Sequence, residues 1–398
     1  MSGSVARTHI EVHLFMISVT KRWGLLFSLL LLAGCAGPLT LVSHPVPLER
    51  FQPTALVSPV WYQQPQSRVD EWEDSPVIIV NDTQLFIAHP RGRVQALDSK
   101  CGCRLWDVNT TAQLTGAVGS GEGYLLLGTQ KGEVLALASE DGSLQWRSQL
   151  SSEVIGSPQV SQGIIVVRTN DGKIFGLNAP DGKRLWVYET IVPSLSLRGV
   201  GDPLIVGDKV FAGFSNGKVA ALSVSNGKLQ WEKVITLAKG RSELERLVDV
   251  DADLAYRDDT LYAVAFQGRL VALEANTGRI VWAREFSAHS GIVLDDQQLY
   301  ISDDDGQVFA LDRRTGATLW RQNKLLRRKI SAPVMHGGKV VVGDYEGYLH
   351  WLSPENGSFM VRRKVDDVAV MQVPRVDNDV LYSVSHQGAI SALRLEIK

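Results

Sequence analysis

The chain has 398 residues, a formal net charge of -2, 21% charged and 44% apolar residues. That balance offers no basic field for nucleic acid, and the apolar share is ample for a large core, so a disordered chain or a nucleic-acid-coating chain is excluded. Only three cysteines are present, Cys35, Cys101 and Cys103.

Residues 1–34 read as a secretory signal. Lys21 and Arg22 form its basic region and Leu25 to Leu32 its apolar run, which is too short for a spanning helix of roughly 20 residues. Met16 lies just ahead of the basic pair and leaves a second start open. Leu32-Ala33-Gly34-Cys35 is similar to the lipobox of bacterial lipoproteins. That resemblance implies that Cys35 becomes the lipidated first residue, with several acyl chains giving firm anchorage. Ala36 in place of aspartate implies the outer membrane, with the protein facing the periplasm. Residues 35–54, with four prolines from Gly37 on, read as a tether.

Leu56 to Trp61 is an isolated strand-like stretch with its own tryptophan. After it, eight glycines open the phrase Gly-x-Val-x-Ala-Leu or a close variant. In six copies a tryptophan follows fourteen residues after the glycine: Gly92/Trp106, Gly132/Trp146, Gly172/Trp186, Gly217/Trp231, Gly268/Trp282 and Gly306/Trp320. A period near 40 residues built from short apolar runs predicts a β-propeller of four-stranded blades. Turn pairs such as Asp141-Gly142 and Asn226-Gly227 precede each last strand, where glycine supplies positive φ. Asp303-Asp304-Asp305 falls in such a turn and lacks the glycine and glutamate spacing of a calcium loop.

The seventh copy, from Gly347, places Val361 where tryptophan belongs and Trp351 where the other copies keep a small residue, so volume is kept while its location moves. The eighth copy, from Gly388, ends before its tryptophan strand. The chain is therefore expected to be all-β: an eight-bladed propeller of four-stranded antiparallel blades over 55–398, with the first strand completing the last blade and leaving no open edge. Cys101 and Cys103 flank Gly102 in the blade-one turn, and either a disulfide or two free thiols is open.

The blade motif, Ala310-Leu-Asp312 then Thr315-Gly316 and Trp320, resembles the tryptophan-docking repeat of quinoprotein propellers. This keeps a periplasmic dehydrogenase using pyrroloquinoline quinone (PQQ) as the alternative. Against it, the chain shows no vicinal cysteine pair, nucleophile elbow, phosphate loop or metal-spaced His/Glu set, so no enzyme and no cofactor is expected.

The distance from each tryptophan to the next repeat glycine is 26, 26, 24 and 27 residues after Trp106, Trp146, Trp282 and Trp320, but 31 after Trp186 and 37 after Trp231. Two neighbouring junctions are lengthened and must emerge on one face. Loops on a rigid scaffold are where binding resides. The first, Ile191 to Gly199, carries aliphatic residues beside Arg198. The second, Gly240 to Asp253, carries an acidic end, and Ser242 with Glu245 fits a capping box for a helical turn from Glu243 to about Val248.

Pro193 to Gly199, Glu245 to Asp251 and Val341 to Trp351 resemble signature stretches of the BamB family, lipoprotein subunits of the outer-membrane β-barrel assembly (BAM) complex. The resemblance covers nearly the whole mature chain. It implies a non-enzymatic propeller that docks on the periplasmic POTRA region of BamA and assists nascent outer-membrane proteins. It also implies contact residues at Leu195, Leu197, Arg198, Asp249 and Asp251. Cys101-Gly-Cys stands where an Asp-Gly-Lys type of turn is usual, and Ala252-Asp-Leu departs from the pattern after the acidic pair.

Overall fold

The computed structural model describes residues 44–64, 76–81, 83–191, 193, 201–237, 248–250, 252–288, 291–370 and 372–397. Among these, thirty-two strands form eight four-stranded sheets and no helix is present. All pairings are antiparallel. Seven sheets take their strands in chain order. The eighth has the order Ala55–Gln63, Ile390–Ile397, Val380–Val384, Arg375–Asp377, so the first strand is the outer strand of the last blade. Inner strands of successive blades touch around a ring, including Val77–Asn81 of blade one against Arg375–Asp377 of blade eight.

Alternation of burial explains the strand roles. Second and third strands carry runs such as Val94-Gln95-Ala96-Leu97, buried on both faces between neighbouring blades. Outer strands alternate exposed and buried residues, as in Arg104–Asn109, because only one face meets the core. The blade-six strands lie at Ile292–Leu294, Gln298–Ser302, Val308–Asp312 and Thr318–Gln322.

The repeat tryptophans hold blade to blade. Trp106 sits opposite Ala96 in its own sheet, donates its indole N–H to the carbonyl of Ser139 in the next blade at 3.0 Å, and packs its face on the next turn glycine, Gly142. Trp146, Trp186, Trp231, Trp282 and Trp320 repeat the arrangement. Trp61, from the first strand, makes the same bond to Ser99 at 2.9 Å and so carries the lock from blade eight to blade one. Each lock combines on the order of 2–3 kcal/mol of apolar burial with a hydrogen bond of about 1 kcal/mol. In blade seven Trp351 pairs in register with Val361 and donates instead to Nδ1 of His336 at 3.1 Å, which confirms the exchange of large and small positions.

Residues 45–54, within the stretch expected as tether, lie along blades six and seven. The Val46 amide donates to Leu326, Arg328 donates to the Val46 carbonyl, Glu49 pairs with Lys324, and Phe51 stacks on Phe359 at 5.5 Å. Arg328 is buried against Asp344 at 2.9 Å, and Asp344 accepts a bond from His350. His350 Nδ1 accepts from Arg362, so the ring is the neutral Nε2–H tautomer, in keeping with burial that lowers its basicity.

Candidate partner-binding face

In an antiparallel blade the inner-to-second and third-to-outer turns share one face, while the second-to-third turns share the other with the junctions between blades. Both lengthened junctions therefore open on the same face. The first leaves the outer strand Arg184–Glu189 and returns to the inner strand Leu204–Val206; the second joins Leu229–Val234 to Ala255–Arg257.

The chain marks both exits with exposed aliphatic side chains. Ile191 is 88% exposed and Leu237 is 68% exposed, the two highest values among the exposed large apolar residues described. Water-facing aliphatics concentrated at two neighbouring loops are unfavourable for an isolated surface and suit one that becomes covered. Between the two exits sits the second-to-third turn of blade four. Asn216 donates to the Ile191 carbonyl at 2.9 Å, and Gly217 accepts the Ile235 amide at 2.9 Å and lies against Thr236. Behind Leu237 a groove of about 280 Å³ is lined by Val234, Ile235, Thr236, Gln267, Arg269 and Glu285. Nearby, Glu232 holds Lys218 at 2.7 Å and accepts from Tyr188, whose hydroxyl is pushed up to about 12 by burial and then by the Glu232 charge.

Both loops return to the scaffold through a carboxylate. Asp202 accepts the Ser157 amide at 2.6 Å, and its own amide donates to Asp253 at 3.0 Å, so three successive junctions are chained together. Burial first, then the charge of Asp253, pushes the Asp202 carboxyl up to about 7, against the Ser157 bond and the charge of Arg375. Buried Arg168 adds a bond to the Gly201 carbonyl at 2.9 Å.

Of the five expected contact residues, Leu195, Leu197, Arg198 and Asp251 lie outside the described residues, as does the expected helical turn up to residue 247. Asp249 is described and is 1% exposed; its carbonyl accepts the Phe266 amide at 2.8 Å in an isolated bridge. It stands at the foot of the second loop and not on its surface. Sequence reasoning missed Leu237 and Asn216; the Asn-Gly opening of the fourth repeat was the signal for the latter.

Among the described residues no three His, Cys, Asp or Glu side chains gather to hold a metal ion. Asp303 of the acidic turn is spent on local bonds, accepting the amides of Asp305 and Gln307. Cys101 and Cys103 form a disulfide, which closes the question the sequence left open.

A family model described as outer membrane protein assembly factor BamB matches residues 90–322 and 311–397. A relative from Pseudomonas aeruginosa bearing that name is 42% identical over 372 residues, covering 94% of this chain and 98% of its own length. The chain belongs to the BamB family of outer-membrane protein assembly factors. A second BamB, from Kangiella koreensis, is 38% identical over 369 residues, covering 93% and 95% of the two chains. The crystal structure of BamB from Moraxella catarrhalis superposes with a TM-score of 0.77 at 28% identity, covering 85% of this chain and all of that one. A quinohemoprotein alcohol dehydrogenase from Pseudomonas putida reaches a TM-score of 0.67 at 12% identity, covering 86% and 76%, which shows a shared propeller fold alone. The two exposed exits are thus features of a BamB-family propeller.

Proposed function

We propose that the chain is a non-enzymatic scaffold of the BAM complex, anchored in the outer membrane through lipid on Cys35 and facing the periplasm. Residues 1–34 are its signal peptide, and the tether runs from Cys35 to where the chain reaches blades six and seven near Pro45. The two long loops dock on the POTRA region of BamA. Leu195 and Leu197 supply aliphatic anchors, Arg198 a forked donor, and Asp251 an acceptor, while Asp249 braces the second loop from below. Held there, the propeller assists delivery of nascent outer-membrane proteins to the insertion site.

The observation that carries this reading is the pairing of Ile191 and Leu237, the two most exposed large aliphatic side chains among the described residues, at neighbouring exits on one face. A photoreactive residue at Leu237 is expected to capture BamA in cells, whereas one at Asp141, in an exposed turn on the opposite face, is expected not to. Capture at Asp141 alone would contradict the assignment of the face. Binding of PQQ with calcium, accompanied by dye reduction, would contradict the non-enzymatic part.

A further inference from the structure

In blades two to seven, the residue before the third-to-outer turn glycine uses its side chain to accept the amide of the residue after it. The acceptors are Asp141, Asp181, Asn226, Thr277, Thr315 and Asn356, at 2.9 to 3.3 Å. In blade one the Cys101 sulfur takes this role toward the Cys103 amide at 3.2 Å. The turn itself brings the flanking positions together, with their Cα atoms 5.2 Å apart, within the usual span of a disulfide.

Six sister turns hold this conformation with no covalent link, so the bond is not needed to make the turn. It encloses a single residue, Gly102, and so restrains the unfolded chain less than a bond closing a long loop. Both cysteines are exposed, and they are flanked by exposed Lys100 and Arg104, the latter also paired with Asp107 at 3.3 Å. An exposed disulfide is open to exchange.

We infer that Cys101–Cys103 is a thiol–disulfide exchange site whose substrate is a thiol. An incoming thiolate attacks one sulfur, forms a mixed disulfide and releases the other sulfur as a thiolate, which takes a proton from water. A second incoming thiolate attacks the sulfur of the first and displaces the protein cysteine as a thiolate, which takes a proton from water, leaving two cysteine thiols on the protein and one disulfide between the incoming pair. Two electrons pass to the protein, and a disulfide substrate reverses the sequence. The thiol is either a small molecule or a cysteine on an extended polypeptide.

The test places the full chain in glutathione buffers of rising reduced-to-oxidised ratio, quenches by alkylation and reads mass and circular dichroism. Two alkyl groups are expected to appear at Cys101 and Cys103 while the fold is kept, with Cys103 trapped as a glutathione adduct in Cys101→Ser. A Cys101→Asp/Cys103→Ser variant, which reproduces the Asp141-Gly142-Ser143 turn, is expected to fold with an unchanged urea midpoint and to lack both signals. A second arm offers a reduced, unfolded polypeptide with one cysteine. Capture there at concentrations where glutathione gives no adduct assigns a polypeptide thiol, and adducts with glutathione alone assign a small one. Resistance of the pair to excess reduced glutathione, loss of the fold on reduction, or absence of the bond from the purified chain would overturn the inference.

Discussion

The side-chain amide of Asn216 donates to the backbone carbonyl of Ile191 at 2.9 Å, tying a turn of blade four to the exit of the first long loop. Gly217, the next residue, bonds to Ile235 beside the second exit, so one turn sets the spacing of both loops. Asn216→Ala removes the first tie. On the proposed docking, it is expected to weaken binding of the BamA periplasmic region by about 1 kcal/mol, roughly fivefold, with little change in urea midpoint. Isothermal titration and a denaturation curve check the two halves.

Trp61 locks the last blade to the first through Ser99 and the face of Gly102. Trp61→Ala is expected to cost about 3 kcal/mol. Trp61→Phe keeps the ring contact and loses the hydrogen bond, and is expected to cost about 1 kcal/mol. Equilibrium urea unfolding separates the two.

Gly182 has φ of +68°, and a Cβ there would stand 2.4 Å from the Trp146 ring. Gly182→Ala therefore meets backbone strain and a clash with a packed indole together, and a loss of more than about 1 kcal/mol is expected. Gly163, also at positive φ but with open space around it, is expected to lose less on the same change, which a thermal melt of both variants reads.

Asp202 gives the chain a pH signature. Its folded-state value near 7 is raised above the ordinary carboxylate range, so its contribution to stability is complete below about pH 4 and is lost as pH rises through 7. Asp202→Asn keeps an acceptor for the Ser157 amide and removes the charge beside Asp253. The variant is expected to match wild type in urea midpoint at about pH 4 or below and to exceed it near pH 8. Equal midpoints at both values would show that Asp202 stays ionised in the folded chain.

The propeller was legible because its period is written in covalent spacing: the interval from Gly92 to Trp106 recurs through Gly306 to Trp320, and the exchange of Trp351 with Val361 could be read as conserved volume. The two long junctions were legible by length alone. What could not be read were contacts between residues far apart in the chain. The prolines of residues 45–54 suggested a tether, yet that segment is held by Arg328 and Arg362, some 300 positions away, whose cationic role has no local pattern. The bond between Asp202 and Asp253 has no mark in the sequence, because only ring geometry sets their junctions side by side.

The affinity of the BamA periplasmic region for the full chain and for Leu197→Ala/Arg198→Ala tests whether the paired loops bind BamA. Anchors at the heart of an interface cost about 2 kcal/mol or more on truncation, so a loss of at least roughly 30-fold is predicted with the melting temperature unchanged. Undiminished affinity in a folded double variant would contradict the account.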